Sequence, residues 1–191
     1  GLGSNFTEQD AGGPYVTFWQ LMALETAKRS ALPISGLNDA DRRASNYWGS
    51  LRAKDGSFGT RRGDGRRDPT LLTGMALHIQ QQLSGEDNYW MQKSRTFLAD
   101  HLKAEPLNWD KGNLISWLYM GESLRNDAKL WPQWNRSFLP TLLSKQRPDG
   151  SWPTHTSEFG TGTEVDTTAL GCLMLESYYR SVVPESERKK R

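Results

Sequence analysis

Gln146-Arg147-Pro148-Asp149-Gly150-Ser151-Trp152 is the stretch whose reading decides the fold. Leu142-Leu143-Ser144-Lys145 before it reads as the last turn of a helix. Arg147-Pro148 stops that helix, because proline cannot supply the next backbone donor. Asp149-Gly150 makes a tight turn in which glycine takes a dihedral that other residues avoid. Trp152 can then fold back as an apolar plug. A polar loop follows, and after it Glu164-Val165-Asp166-Thr167-Thr168-Ala169-Leu170-Gly171-Cys172-Leu173-Met174-Leu175-Glu176 reads as an apolar helix with a polar start. The unit is therefore helix, turn, loop, helix.

That unit recurs. Lys54-Asp55-Gly56-Ser57-Phe58-Gly59-Thr60 carries the same turn 94 residues earlier, between similar helices. Half of that separation is the length of one helical hairpin with its turn. A degenerate copy lies between the two, at Pro106-Leu107-Asn108-Trp109-Asp110-Lys111-Gly112. The predicted plugs are Phe58, Trp109 and Trp152, expected in equivalent buried places. The helices after the turns align as Thr17…Leu24, Thr70…Leu77 and Thr168…Leu175. Residues 1–13 resemble the loop after a turn, so the chain is expected to begin partway through a repeat.

Working outward, the pattern predicts seven helices: 14–29, 38–52, 68–82, 86–104, 112–124, 130–145 and 165–182. Asn38 is a candidate cap, and Pro140 should kink or break the sixth helix. Tyr89, Trp90, Phe97, Leu98 and Leu102 are expected to face inward from the fourth, and the fifth is apolar on most sides. No segment alternates with a strand period. The odd helices are the more apolar and the even ones the more charged, which suits an inner and an outer layer of helices. The expectation is an all-α domain over residues 1–184, with a charged, disordered tail over 185–191.

Composition narrows the function. A formal charge of +2 over 191 residues gives no footprint for nucleic acid. No apolar run is long enough to span a membrane, and no signal peptide is visible. The single Cys172 excludes an internal disulfide and a multi-cysteine metal site, and its helix face reads as core. His78, His101 and His155 show no paired ligand spacing, so neither a metal nor a cofactor is expected.

The Gln-x-x-Asp-Gly-Ser-Trp pattern at Gln146–Trp152 resembles the QW repeat of squalene–hopene and oxidosqualene cyclases. The resemblance extends to the wider set with that fold, the protein prenyltransferase β subunits and the complement thioester domains. The ending Asp166-Thr167-Thr168-Ala169-Leu170…Leu175-Glu176-Ser177-Tyr178-Tyr179-Arg180 looks like the last helix of bacterial prenyltransferase and squalene-oxidase repeat proteins. This resemblance implies an α/α toroid. It also implies that Gln146 bridges one helix to the next while the aromatic ring seals the gap between repeats. The structural repeat residues are then Gln146, Asp149, Gly150 and Trp152, with Asp55, Gly56, Phe58 and Trp109.

Three stretches are candidates for chemistry. Cyclases that protonate an alkene carry an Asp-x-Asp-Asp-Thr-Ala stretch whose middle Asp is the acid. Here Glu164-Val165-Asp166-Thr167-Thr168-Ala169 aligns Asp166 with that acid, while Glu164 and Thr167 replace its carboxylate neighbours. The same residues also read as a helix start, capped by Thr163 or Asp166. The two roles need opposite protonation states, since an alkene acid must be neutral and a cap ionised. Arg61, Arg62, Arg66 and Arg67 form a basic loop able to hold a diphosphate weakly, or stand as a solvated loop beside Asp64 and Asp68. The eight tryptophans suit either core packing or a cavity lined with ring faces. Neither the Asp-x-Cys of the prenyltransferase zinc site nor the thioester Cys-Gly-Glu-Gln occurs. The function expected is a non-catalytic repeat domain that binds a protein, an apolar ligand or a glycan in its concavity. The alternative is a small cyclase-like or lyase-like enzyme with Asp166 as acid.

Overall fold

Of the described helices, the last four in chain order begin where a side chain engages the free backbone groups of the first turn. The structure is a computed structural model, and it describes residues 13–30, 32–60, 69–84, 87–157 and 160–182. Helix α1 (Pro14–Arg29) has proline in its first turn and Lys28 and Arg29 in its last, where the helix dipole favours positive charge. Helix α2 (Leu37–Ser50) starts after Gly36, which adopts φ +77°, so the turn glycine and not Asn38 sets its beginning. Helix α3 spans Pro69–Ser84. Helix α4 (Tyr89–Ala104) starts later than residue 86 because Asn88 Oδ1 accepts the Trp90 and Met91 N–H groups, both at 3.0 Å.

Helix α5 (Leu114–Leu124) is capped by Asn113, whose Oδ1 accepts from Ile115 and Ser116 at 3.0 and 3.2 Å. Asp127 does the same for α6 (Leu130–Leu143), accepting from Lys129 and Leu130 at 2.9 Å each. Pro140 does not break α6. It forfeits one bond near the end, and the last turn still holds through Ser144 N–H on the Pro140 carbonyl at 2.9 Å. Helix α7 runs Glu164–Val182. A short antiparallel hairpin, β1 (His155–Ser157) with β2 (Gly160–Gly162), pairs His155 with Gly162 inside the polar loop that precedes α7. Three-residue strands are too short to show a period in sequence. Among the described residues the fold is all-α, with seven helices and this one ribbon.

The chain falls into two compact units, residues 1–94 and 95–191. In the first, α1 packs against both α2 and α3. Its core is built on aromatics: Trp48 lies 6.3 Å from Phe18 and stacks on Phe58 at 5.9 Å. Every residue of α3 from Thr70 to Ile79 is buried. In the second unit α5 packs against α6 and α7. All but three of the eleven residues of α5 are buried, as its all-round apolar pattern predicts. Trp134 stacks on Phe138 at 5.3 Å, and both are buried. Burial of each such ring is worth roughly 1.5–3 kcal/mol, so aromatics dominate both cores.

Two inward assignments are corrected. Tyr89 is exposed, because it sits at the first position of α4, directly after the Asn88 cap. Cys172 is exposed on α7, while its neighbour Gly171 is buried against Trp152. An apolar helix can still present an uncovered face, and periodicity alone does not say which face that is.

Candidate functional site

The two Asp-Gly-Ser-aromatic turns have the same internal geometry. Gly56 N–H bonds the Ala53 carbonyl at 3.1 Å and Ala53 N–H bonds the Ser57 carbonyl at 2.8 Å. The matching bonds are Gly150 N–H to Arg147 at 2.9 Å and Arg147 N–H to Ser151 at 2.8 Å. Both glycines take φ +88°. This is a tight turn closed by a left-handed glycine, which explains Gly at that place and Pro148 just before the Asp. Asp55 Oδ1 accepts the Ser57 N–H and hydroxyl at 3.0 and 2.6 Å, and Asp149 Oδ1 accepts those of Ser151 at 2.9 and 2.7 Å. Both bonds from Ser151, its backbone N–H first, hold the Asp149 carboxyl below its ordinary pKa.

The aromatic residue then enters the core, with Phe58 and Trp152 each 1% exposed. A hydroxyl latches each plug to the next helix: Phe58 N–H donates to Thr73 Oγ1 and Trp152 N–H to Thr168 Oγ1, both at 3.0 Å. Thr73 and Thr168 are each the fifth residue of their helix. The structural match for Thr168 is therefore Thr73, and the alignment of Thr168 with Thr70 is displaced by three residues. A shift of three is close to one helical turn, which is why the periodic pattern did not distinguish the two.

Two roles assigned by resemblance are redistributed. The Gln146 amide donates to the Gly150 carbonyl at 3.0 Å, so it braces its own turn and does not bridge two helices. Trp152 is the bridge: its Nε1–H donates to the Leu142 carbonyl of α6 at 2.9 Å, and its ring lies over Gly171 of α7. The degenerate copy is built differently. Asn108 Oδ1 accepts the Asp110 N–H at 2.9 Å, the Asn108 carbonyl accepts Gly112 N–H at 2.8 Å, and Gly112 has no positive φ. Trp109 is 6% exposed, packed edge-on against Trp117 and His155. Buried His155 bonds the Trp109 carbonyl through Nε2 at 2.7 Å, tying the β-hairpin to this turn. Trp109 is thus a buried plug in a site of its own design.

Asp166 lies on the exposed first turn of α7. Its Oδ2 accepts the Thr163 N–H and the Thr163 hydroxyl, each at 2.8 Å, while its own N–H reaches Thr163 Oγ1 at 3.3 Å. This is a reciprocal capping box with Thr163 as the cap and Asp166 three residues on. The backbone donor of Thr163, then its hydroxyl, lower the Asp166 pKa. The carboxylate reaches back to Thr163, not forward to the donors near Thr168 and Ala169. Glu164 is exposed and held by Arg147 Nη1 at 2.6 Å, so its charge is spent on the preceding turn.

The basic loop of Arg61, Arg62, Arg66 and Arg67 lies outside the described residues, as does the tail 185–191. Of the tryptophans, Trp48, Trp109, Trp117, Trp134 and Trp152 are buried and Trp19 is exposed. Among the described residues no group of three His, Cys, Asp or Glu is placed to hold a metal ion, and no helix is long and apolar enough to cross a membrane. Within each compact unit an Asp-Gly-Ser-aromatic turn links two helices and buries its aromatic ring. No family model, curated protein or solved structure matches the chain.

Proposed function

We propose that this chain is a helical-repeat binding domain with the α/α-toroid organisation of the terpenoid cyclases and protein prenyltransferases, and that it does not itself catalyse a cyclisation. The observation that supports this reading is the environment of Asp166. Protonating an alkene needs a buried, neutral acid. Asp166 is exposed, its pKa is lowered, and its oxygen is engaged in starting a helix. The other residues of the motif build turns and plugs, and such work leaves the repeats free to present surface to a partner.

Carboxyl titration by NMR, with incubation against squalene and a shorter polyprene, tests the proposal. Asp166 should titrate below the free value of about 3.9. Asp166→Asn should fold normally, since asparagine also suits a helix start. A titration midpoint above about 6, or a cyclised product lost in Asp166→Asn, would sink the binding reading in favour of an enzyme.

A further inference from the structure

Gly121 is buried in the interior of α5, in the second unit. Glycine at such a position weakens a helix about fivefold against alanine, so its presence calls for a reason. Gly171 has one, since a Cβ there would lie 2.8 Å from the Trp152 ring. Gly121 is not crowded in this way. Its Cβ would lie 3.5 Å from Trp134 Nε1 and 4.0 Å from Ser177 Oγ, which are ordinary contacts. Among the described residues no other atom beyond its own helix backbone and adjoining residues comes within 4 Å of that point. Trp134, on α6, is fully buried and stacks on Phe138. Its Nε1–H has no hydrogen-bond partner among the described residues. An indole nitrogen only donates, and a buried donor left unmet loses the bond it made to solvent. Ser177, on α7, is 3% exposed, and its hydroxyl borders the same point. A hydroxyl has two acceptor lone pairs beside its one donor, so it can take a further partner whatever else it bonds.

We propose that the space beside Gly121 is a binding site for one water molecule, which accepts from Trp134 Nε1–H and donates to Ser177 Oγ. A water stands off the glycine Cα farther than a bonded carbon does. It can therefore approach both groups more closely than the 3.5 and 4.0 Å of a Cβ, within hydrogen-bond reach. Two polar partners meet the minimum that a buried water takes. The chemistry selects water over other small guests. No charged group among the described residues borders the point, so a buried ion would go uncompensated. An apolar guest would leave the indole donor unmet. The water joins α5, α6 and α7 at one place, and glycine is the residue that leaves it room. This inference stands apart from the binding-domain reading and concerns how the second unit is held together.

The test is nuclear magnetic resonance on the isotope-labelled full chain, joined to urea unfolding. The Trp134 indole signal is assigned by its loss in Trp134→Phe. It should show a cross-peak to water with opposite signs in NOE and ROE spectra, the mark of a bound water and not of proton exchange. Gly121→Ala puts a methyl where it fits the protein but excludes the water, so the cross-peak should vanish. Helix propensity alone would raise the folding constant of Gly121→Ala about fivefold. With the water displaced and the indole donor unmet, that gain should be cancelled or reversed. In Trp134→Phe, which has no donor to leave unmet, the same glycine change should recover the gain. No water cross-peak in the wild type would overturn the proposal, and that spectrum decides alone if Gly121→Ala does not fold. A cross-peak that survives Gly121→Ala, or a full fivefold gain in the otherwise wild-type chain, would overturn it as well. So would an indole signal that lacks the water peak and moves in Ser177→Ala, which assigns the donor to a direct bond with that hydroxyl.

Discussion

Replacing Gly56 and Gly150 by alanine, one at a time, makes a matched experiment on the fold. Both residues have φ +88°, so both substitutions force an L side chain into the left-handed region, at about 1–2 kcal/mol. Only Gly56 adds a collision. A Cβ there would lie 2.5 Å from the Lys93 carbonyl carbon and 2.7 Å from the Ser94 nitrogen, both of them helix backbone that cannot rotate away. Relief requires α4 to move off the turn, which would stretch the buried Ser94–Gly56 hydrogen bond. Overpacking of this kind costs typically 1–3 kcal/mol, giving about 2–5 kcal/mol in total for Gly56→Ala. Gly150→Ala meets no described atom within 4 Å and should stop at the backbone cost. Urea unfolding followed by both tryptophan fluorescence and circular dichroism measures the difference, and coincidence of the two probes checks two-state behaviour in a chain with two compact units. Asparagine at each site sharpens the assay, because it tolerates φ > 0 but still carries a Cβ. Gly150→Asn should recover most of the loss, and Gly56→Asn should not. Equal losses at the two sites, within about 0.5 kcal/mol, would refute the argument that α4 is pressed against the first turn.

Gly171→Ala should destabilise by about 1–3 kcal/mol despite the better helix propensity of alanine, because its Cβ would lie 2.8 Å from the Trp152 ring; in Trp152→Phe the same change should cost less, as a double-mutant cycle would show. Trp152→Ala should itself cost about 3–5 kcal/mol in chemical denaturation, a fully buried ring being lost together with its bond to Leu142. Asp149 and Asp166 both have lowered pKa values, so their stabilising contributions are complete above the unfolded value of about 3.9 and vanish as pH falls through the native values. Unfolding midpoints measured downward from pH 5 should therefore fall, with a shallower acid limb in Asp166→Asn. Burial, with Glu122 adding to it, pushes the Tyr119 hydroxyl up to about 12. Its neutral form favours the folded state fully below pH 10, and that contribution is lost between about 10 and 12, so ultraviolet titration should show Tyr119 ionising late, together with unfolding.

Much of the fold was legible because its rules are local. Pro14 at a helix start, Gly56 and Gly150 in tight turns, and the all-round apolar pattern of α5 each act within a few residues. The box of Thr163 and Asp166 was half legible: the helix start was visible, while the backward reach of the carboxylate depends on the angle at which the loop enters α7. The latch of Thr73 and Thr168 was hidden by alignment at the wrong turn, although a threonine at the fifth position of each post-turn helix was a signal in plain view.

The sequence by itself determined the seven helices, the paired turns and the identity of the plugs, because propensity, capping and turn chemistry are short-range. Tertiary structure alone decided which of two near-identical turns is covered. Asp55-Gly56-Ser57 and Asp149-Gly150-Ser151 read alike, yet the first is pressed under α4 and the second stands open. It also decided that Cys172 and Val165 face outward while Gly171 yields its space to Trp152. Burial belongs to what lies across a face, and residues distant along the chain supply or withhold that cover.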